Sequence, residues 1–119
     1  MTSVDACVEE VLKRGLEDWI QAAEVASVAK VTGGQRTDLG IQTLALEVVA
    51  ELVRSRLMKP GDVTEDGFHE WDLEPDDALN RISREWKALG RLPELGEVCW
   101  LSNTSDGDRK AGESSGGTP

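Results

Sequence analysis

Two apolar rows at helical spacing dominate the middle of this chain: Ile41, Ala45, Val49, Val53 and Leu57, with Leu44, Val48 and Leu52 beside them. Residues four apart lie on one face of an α-helix, so the two rows define a wide stripe that must be buried. The opposite face offers Thr43, Glu47, Glu51, Arg54 and Ser55. Thr37 or Asp38 suits the N-cap of this helix. Its expected stop is Lys59-Pro60-Gly61-Asp62, because proline has no N–H to continue the hydrogen-bond ladder.

The remaining elements follow from shorter signals. Val4, Val8, Val11 and Leu12 share a face of a first helix capped by Ser3 or Asp5 and ended or bent by Gly15. Asp18 is placed to cap a second helix over Trp19 to Lys30, rich in alanine and valine. After the central helix, Gly61 to Thr64 and Phe68 to Trp71 read as two strands about a turn at Glu65-Asp66-Gly67; an Asp-Gly pair between apolar segments favours a hairpin. Pro75, Asp76 and Asp77 open a further helix whose stripe is Leu79, Ile82, Trp86 and Leu89, with Gly90 as its stop. Glu97 to Leu101 reads as a strand that joins the hairpin at an edge the sequence does not fix. From Asp106 onward no apolar residue larger than alanine appears, so the tail is expected to be disordered.

The expected fold is α+β: about four helices and a small antiparallel sheet, in the helix–hairpin layout of a winged-helix module. One winged-helix-like domain would occupy residues 1–105 and the disordered tail residues 106–119. A chain of 119 residues with 39% hydrophobic content is long enough to bury its own core. Trp19, Trp71, Trp86 and Trp100 are expected to anchor that core. The start MTSVDACVEE lacks the basic and apolar signature of a signal peptide. No apolar run approaches the ~20 residues of a membrane span. The expected location is the cytoplasm, with Cys7 and Cys99 reduced and no membrane association.

Catalytic and metal-binding signatures are sparse. The only histidine, His69, lies in the hairpin, and nothing in the sequence pairs it with Cys7 or Cys99. The cysteines have no zinc spacing, the acids have no calcium-loop order, and the glycines form no phosphate loop. The expectation is a non-enzymatic protein without cofactor or metal.

Charge decides between the remaining classes. The net charge is −10, and residues 61–90 contribute −6 of it, while residues 33–60 alone are positive at +1. No Lys or Arg falls between Lys59 and Arg81. Phosphate recognition relies on Lys and Arg, yet the central helix exposes Glu47 and Glu51 and the hairpin is acidic. The layout suggests DNA and the charge opposes it. The favoured reading is therefore a protein-binding module of regulatory, inhibitor or immunity type. Its acidic surface would comprise Asp62, Glu65, Asp66, Glu70, Asp72, Asp76 and Asp77 and meet a partner protein with a basic surface. The alternative is a winged-helix transcriptional regulator that assembles a basic face by dimerising.

Several stretches together carry a resemblance: Arg14 to Ile20 (RGLEDWI), Gly61-Asp62-Val63, Gly67-Phe68 with Trp71, Arg81 to Gly90 (RISREWKALG) and Gly96 to Thr104 (GEVCWLSNT). Over most of residues 8–107 the chain resembles a family of small uncharacterised acidic bacterial proteins of winged-helix-like organisation. That resemblance implies no established activity and assigns no functional residue. Trp100-Leu101, Thr104 and Gly107 are also similar to the wing-strand ending of winged-helix regulators.

Overall fold

The computed structural model describes residues 2–116. Five helices and four strands follow one another as α1 (Ser3–Gly15), β1 (Ile20–Gln21), α2 (Ala22–Val31), α3 (Asp38–Arg54), β2 (Met58–Thr64), β3 (Gly67–Glu70), α4 (Pro75–Leu89), β4 (Trp100–Asn103) and α5 (Ser105–Gly116). The fold is α+β, with one antiparallel sheet in the order β1-β4-β2-β3. Helix α2 packs on α3, α1 packs on α3 and α5, and α4 packs on α3.

The central helix behaves as its pattern requires. Ile41, Leu44, Ala45, Val48, Val49, Leu52 and Val53 are all buried, and the Thr37 hydroxyl accepts from the Gly40 N–H. Its end comes earlier than the proline. Arg56 N–H donates to the Val53 carbonyl and Leu57 N–H to the Leu52 carbonyl. This pair of bonds is a Schellman closure, which needs a left-handed residue between helix and exit. Arg56 supplies it at φ +57°, so Leu57 leaves the helical row. A non-glycine residue in that region costs roughly 1–2 kcal/mol. Replacing Arg56 by glycine is therefore expected to raise the unfolding free energy by about 1 kcal/mol, read as a higher urea midpoint at unchanged slope.

The sheet is longer and differently placed than the pattern suggests. β2 starts at Met58 and runs through Pro60. Proline is tolerated because its N–H side faces the end of β3, where only the Trp71 N–H reaches the Pro60 carbonyl. β4 lies between β2 and β1, pairing Pro60 with Leu101 and Ile20 with Leu101. It begins at Trp100 rather than Glu97 because Val98 sits at φ +70° and Cys99 N–H closes back on the Glu97 carbonyl. Glu97 is itself fixed. Bidentate hydrogen bonds from Arg91 at 2.7 and 2.9 Å, and one from the Glu94 N–H, hold its carboxyl at about 2. This clamp contributes at pH above the ordinary carboxyl value of 4.5 and is lost as pH falls through about 2.

Other expectations are corrected as well. Helix α2 starts at Ala22, since residues 20–21 pair with β4 instead. Thr2 caps α1 in a reciprocal capping box with Asp5. Trp71 and Trp86 are buried. Trp19 remains 39% exposed and stacks on Phe68 at 6.2 Å, while Trp100 is half-buried. The largest departure is α5. Residues 105–116 form a fifth helix where a disordered tail was expected; residues 117–119 of that tail lie outside the described residues. Thr104 caps this helix by accepting from the Gly107 N–H. Its hydroxyl donates to the Arg56 carbonyl, and its N–H to the Leu57 carbonyl. Ala111 is fully buried, and Asn103 joins the Leu12 carbonyl to Asp108. A polar helix thus docks through its smallest residues. No helix among the described residues is long and apolar enough to cross a membrane.

Candidate functional site

The segment linking β3 to α4 is held by a chain of polar contacts. After Glu70 the backbone turns, and the Trp71 indole N–H donates to Asp62 Oδ2 at 3.0 Å. The Arg81 guanidinium lies 3.7 Å from the Trp71 ring centroid, a cation–π arrangement. Arg81 Nε in turn donates to Glu85 at 2.8 Å. Asp62, Trp71, Arg81 and Glu85 therefore tie the hairpin to α4 and fix the turn between them. Each member fills the hydrogen-bonding or charge requirement of the next, so the turn is rigid without a metal or a disulfide.

That turn frames an open depression of about 450 Å³ lined by Glu70, Trp71, Asp72, Leu73, Glu74 and Asp77. Leu73, one of these lining residues, is 44% exposed. Glu70 pairs with Lys59 at 3.6 Å. Asp72, Glu74 and Asp77 are exposed and make no ion pair among the described residues. The helix explains the position of two of them. Glu74 is the N-cap residue of α4 without a side-chain capping bond, and Asp77 stands in the first turn, where the unsatisfied N–H groups favour negative charge.

The seven acids expected to form one surface are distributed differently. Glu70, Asp72 and Asp77 meet in the depression. Asp62 is committed to Trp71. Asp76 turns towards α3 and pairs with Arg54 at 3.2 Å. Glu65 and Asp66 stand at the hairpin turn, exposed. Glu74 and Leu73 join the site although sequence reasoning did not select them. The signal for Glu74 lay in the Glu74-Pro75 step, where the residue before proline is kept extended and so stands at the N-cap of α4; none marked Leu73.

The cysteine and histidine groups do not converge. Nε2 of His69 lies 2.9 Å from the Thr64 hydroxyl on the exposed hairpin. Cys7 and Cys99 are buried. Burial raises the Cys7 thiol and, with the negative charges of Glu85 and Asp62, pushes Cys99 up to about 12. Both are protonated at neutral pH, so neither offers a thiolate. Among the described residues no three His, Cys, Asp or Glu side chains stand close enough to hold a metal ion. The depression is a carboxylate rim beside one exposed aliphatic side chain. The chain matches no family model, no curated protein and no solved structure.

Proposed function

We propose that this protein is a non-enzymatic binding module that presents the Glu70–Asp77 depression to a basic surface of another protein, in a regulatory or inhibitory role. The observation that carries this reading is the trio Asp72, Glu74 and Asp77, unpaired among the described residues, around the exposed Leu73 on a turn locked by Trp71. Unpaired like charges on a rigid mount repel one another and are relieved by an approaching cation. An apolar contact inside a polar rim is the usual anatomy of a protein interface. The order α1–β1–α2–α3–β2–β3 supports a winged-helix-like organisation in which β1 reaches the hairpin through the later strand β4, and α4 and α5 are additions. A DNA-reading role finds less support. The exposed face of α3 carries Thr43, Glu47 and Glu51, and Arg54 is already paired with Asp76.

The test uses a fluorescent oligolysine peptide as a stand-in for a basic partner surface. Each exposed ion pair contributes ~0.2–1 kcal/mol. The triple variant Asp72→Asn, Glu74→Gln, Asp77→Asn is therefore expected to bind it roughly tenfold more weakly, a loss of about 1.4 kcal/mol. Neutralising Glu65 and Asp66 at the hairpin tip is expected to do much less. Equal affinity of the triple variant and the parent refutes the reading. Salt-sensitive binding of random duplex DNA at physiological ionic strength would favour the regulator alternative instead.

A further inference from the structure

We infer that a second cleft, which shares Glu70 and Leu73 with the acidic depression, binds a small amphipathic monocarboxylate with Arg56 as its counter-ion. The cleft lies where the end of α3, the start of β2 and the first turns of α4 and α5 meet. Its volume is about 400 Å³, within the ~300–1,000 Å³ of small-molecule sites. Val53, Met58, Pro60 and Ala78 form a buried apolar floor, and Leu73 and Pro75 stand beside them. Such a floor takes an alkyl chain or an aromatic ring and offers nothing to a sugar or a polyphosphate.

The rim fixes the sign and number of charges. Four ionic side chains line it: Arg56, Lys59, Glu70 and Asp106. Lys59 and Glu70 satisfy each other at 3.6 Å, and Asp106 is taken by Arg109. Arg56 makes no ion pair among the described residues. The Thr104 hydroxyl is not available to a ligand as a donor, since it donates to the Arg56 and Leu57 carbonyls. The cleft therefore holds one uncompensated cation in a chain of net charge −10. The surrounding negative field opposes a multiply charged anion. A single carboxylate meets one guanidinium as a bidentate pair, and the apolar floor supplies the rest of the affinity.

Arg56 is also where the fold favours a different residue. Its φ of +57° is a position that glycine occupies without strain. An arginine in this conformation, on the wall of an apolar cleft, costs the fold energy at the place where a ligand would need its charge.

The experiment titrates the full chain with decanoate below its micelle concentration, following backbone amide shifts and calorimetry. Decanoate is expected to perturb residues 53–60, 73–78 and 104–106. Decanol and acetate, each lacking one half of the ligand, are expected to bind about tenfold more weakly or worse. Arg56→Gly is expected to lose decanoate affinity by a similar factor while its unfolding midpoint rises, so the loss cannot be ascribed to a damaged fold. Arg56→Gln keeps the backbone strain and removes the charge, and it must lose affinity equally. The inference is overturned if decanoate fails to bind, if either Arg56 variant binds it as the parent does, or if decyltrimethylammonium binds the cleft as tightly as decanoate. None of these outcomes depends on the oligolysine result, because Arg56 lies outside the acidic depression.

Discussion

Replacing Gly107 by alanine is expected to strip α5 from the body of the protein and to lower the unfolding free energy by about 3 kcal/mol. Helix propensity alone predicts the opposite sign, a gain of about 1 kcal/mol for alanine over glycine in a helix. Packing decides against propensity here. A Cβ on Gly107 would overlap the Leu57 carbonyl oxygen and stand 3.3 Å from Leu12 Cδ2. The carbonyl is backbone, fixed by the Thr104 N–H at 3.0 Å, so it cannot rotate away as a side chain would. The whole helix must shift, which exposes Ala111 and uncouples Asn103 from Asp108. The expected fall in the thermal midpoint is about 10 °C. Limited trypsin digestion should then cut rapidly after Arg109 and Lys110, which the parent protects. A stabilised variant cut no faster than the parent would show that Gly107 does not pack against the Leu57 carbonyl as described.

The second large effect belongs to Trp86. It is the largest fully buried side chain of the protein and lies on the same face of α4 as Ile82. Trp86→Ala is expected to cost about 4 kcal/mol, the lost transfer energy plus the cavity left behind. Against a domain stability of ~5–15 kcal/mol, this brings the molecule close to unfolding. Trp86→Phe gives a readable intermediate. The Trp86 indole N–H is buried without a partner among the described residues, and an orphaned donor costs ~1–3 kcal/mol. Phenylalanine removes that penalty while losing part of the ring, so its net cost should be about 1–2 kcal/mol. Urea titration of both variants separates the two contributions. A cost under about 1 kcal/mol for alanine would mean that α4 does not pack on α3 as described. The depression would then lose its mount, since Glu74 and Asp77 are placed by the first turn of that helix.

What the sequence reveals and what it conceals have a common cause. Elements that bury large side chains on a regular period announce themselves. Helix α3 does so through Ile41 to Val53, and α4 through Ile82 and Trp86 between Pro75 and Gly90. The hairpin turn is legible from Asp66-Gly67 because it needs a backbone only glycine tolerates easily. Helix α5 is illegible for the reverse reason. Gly107 and Ala111, its buried residues among those described, are too small to register as a hydrophobic pattern. The two-residue strand β1 and the late start of β4 are likewise hidden, because pairing partners across the sheet select them. The end of α3 is misplaced from sequence because Arg56 occupies a conformation that its residue type does not advertise. The acidic surface is half legible. Charge density is visible in the chain, but the allocation of Asp62 to Trp71 and of Asp76 to Arg54 depends on tertiary contacts.

The proposed binding face is mapped by following backbone amide shifts of the parent protein as an oligolysine peptide is added. The changes are expected to concentrate in residues 70–77 and to fade with added salt, as contacts between exposed charges do. Changes confined to the hairpin tip at residues 64–67, or spread evenly over every acidic side chain, would contradict the proposal.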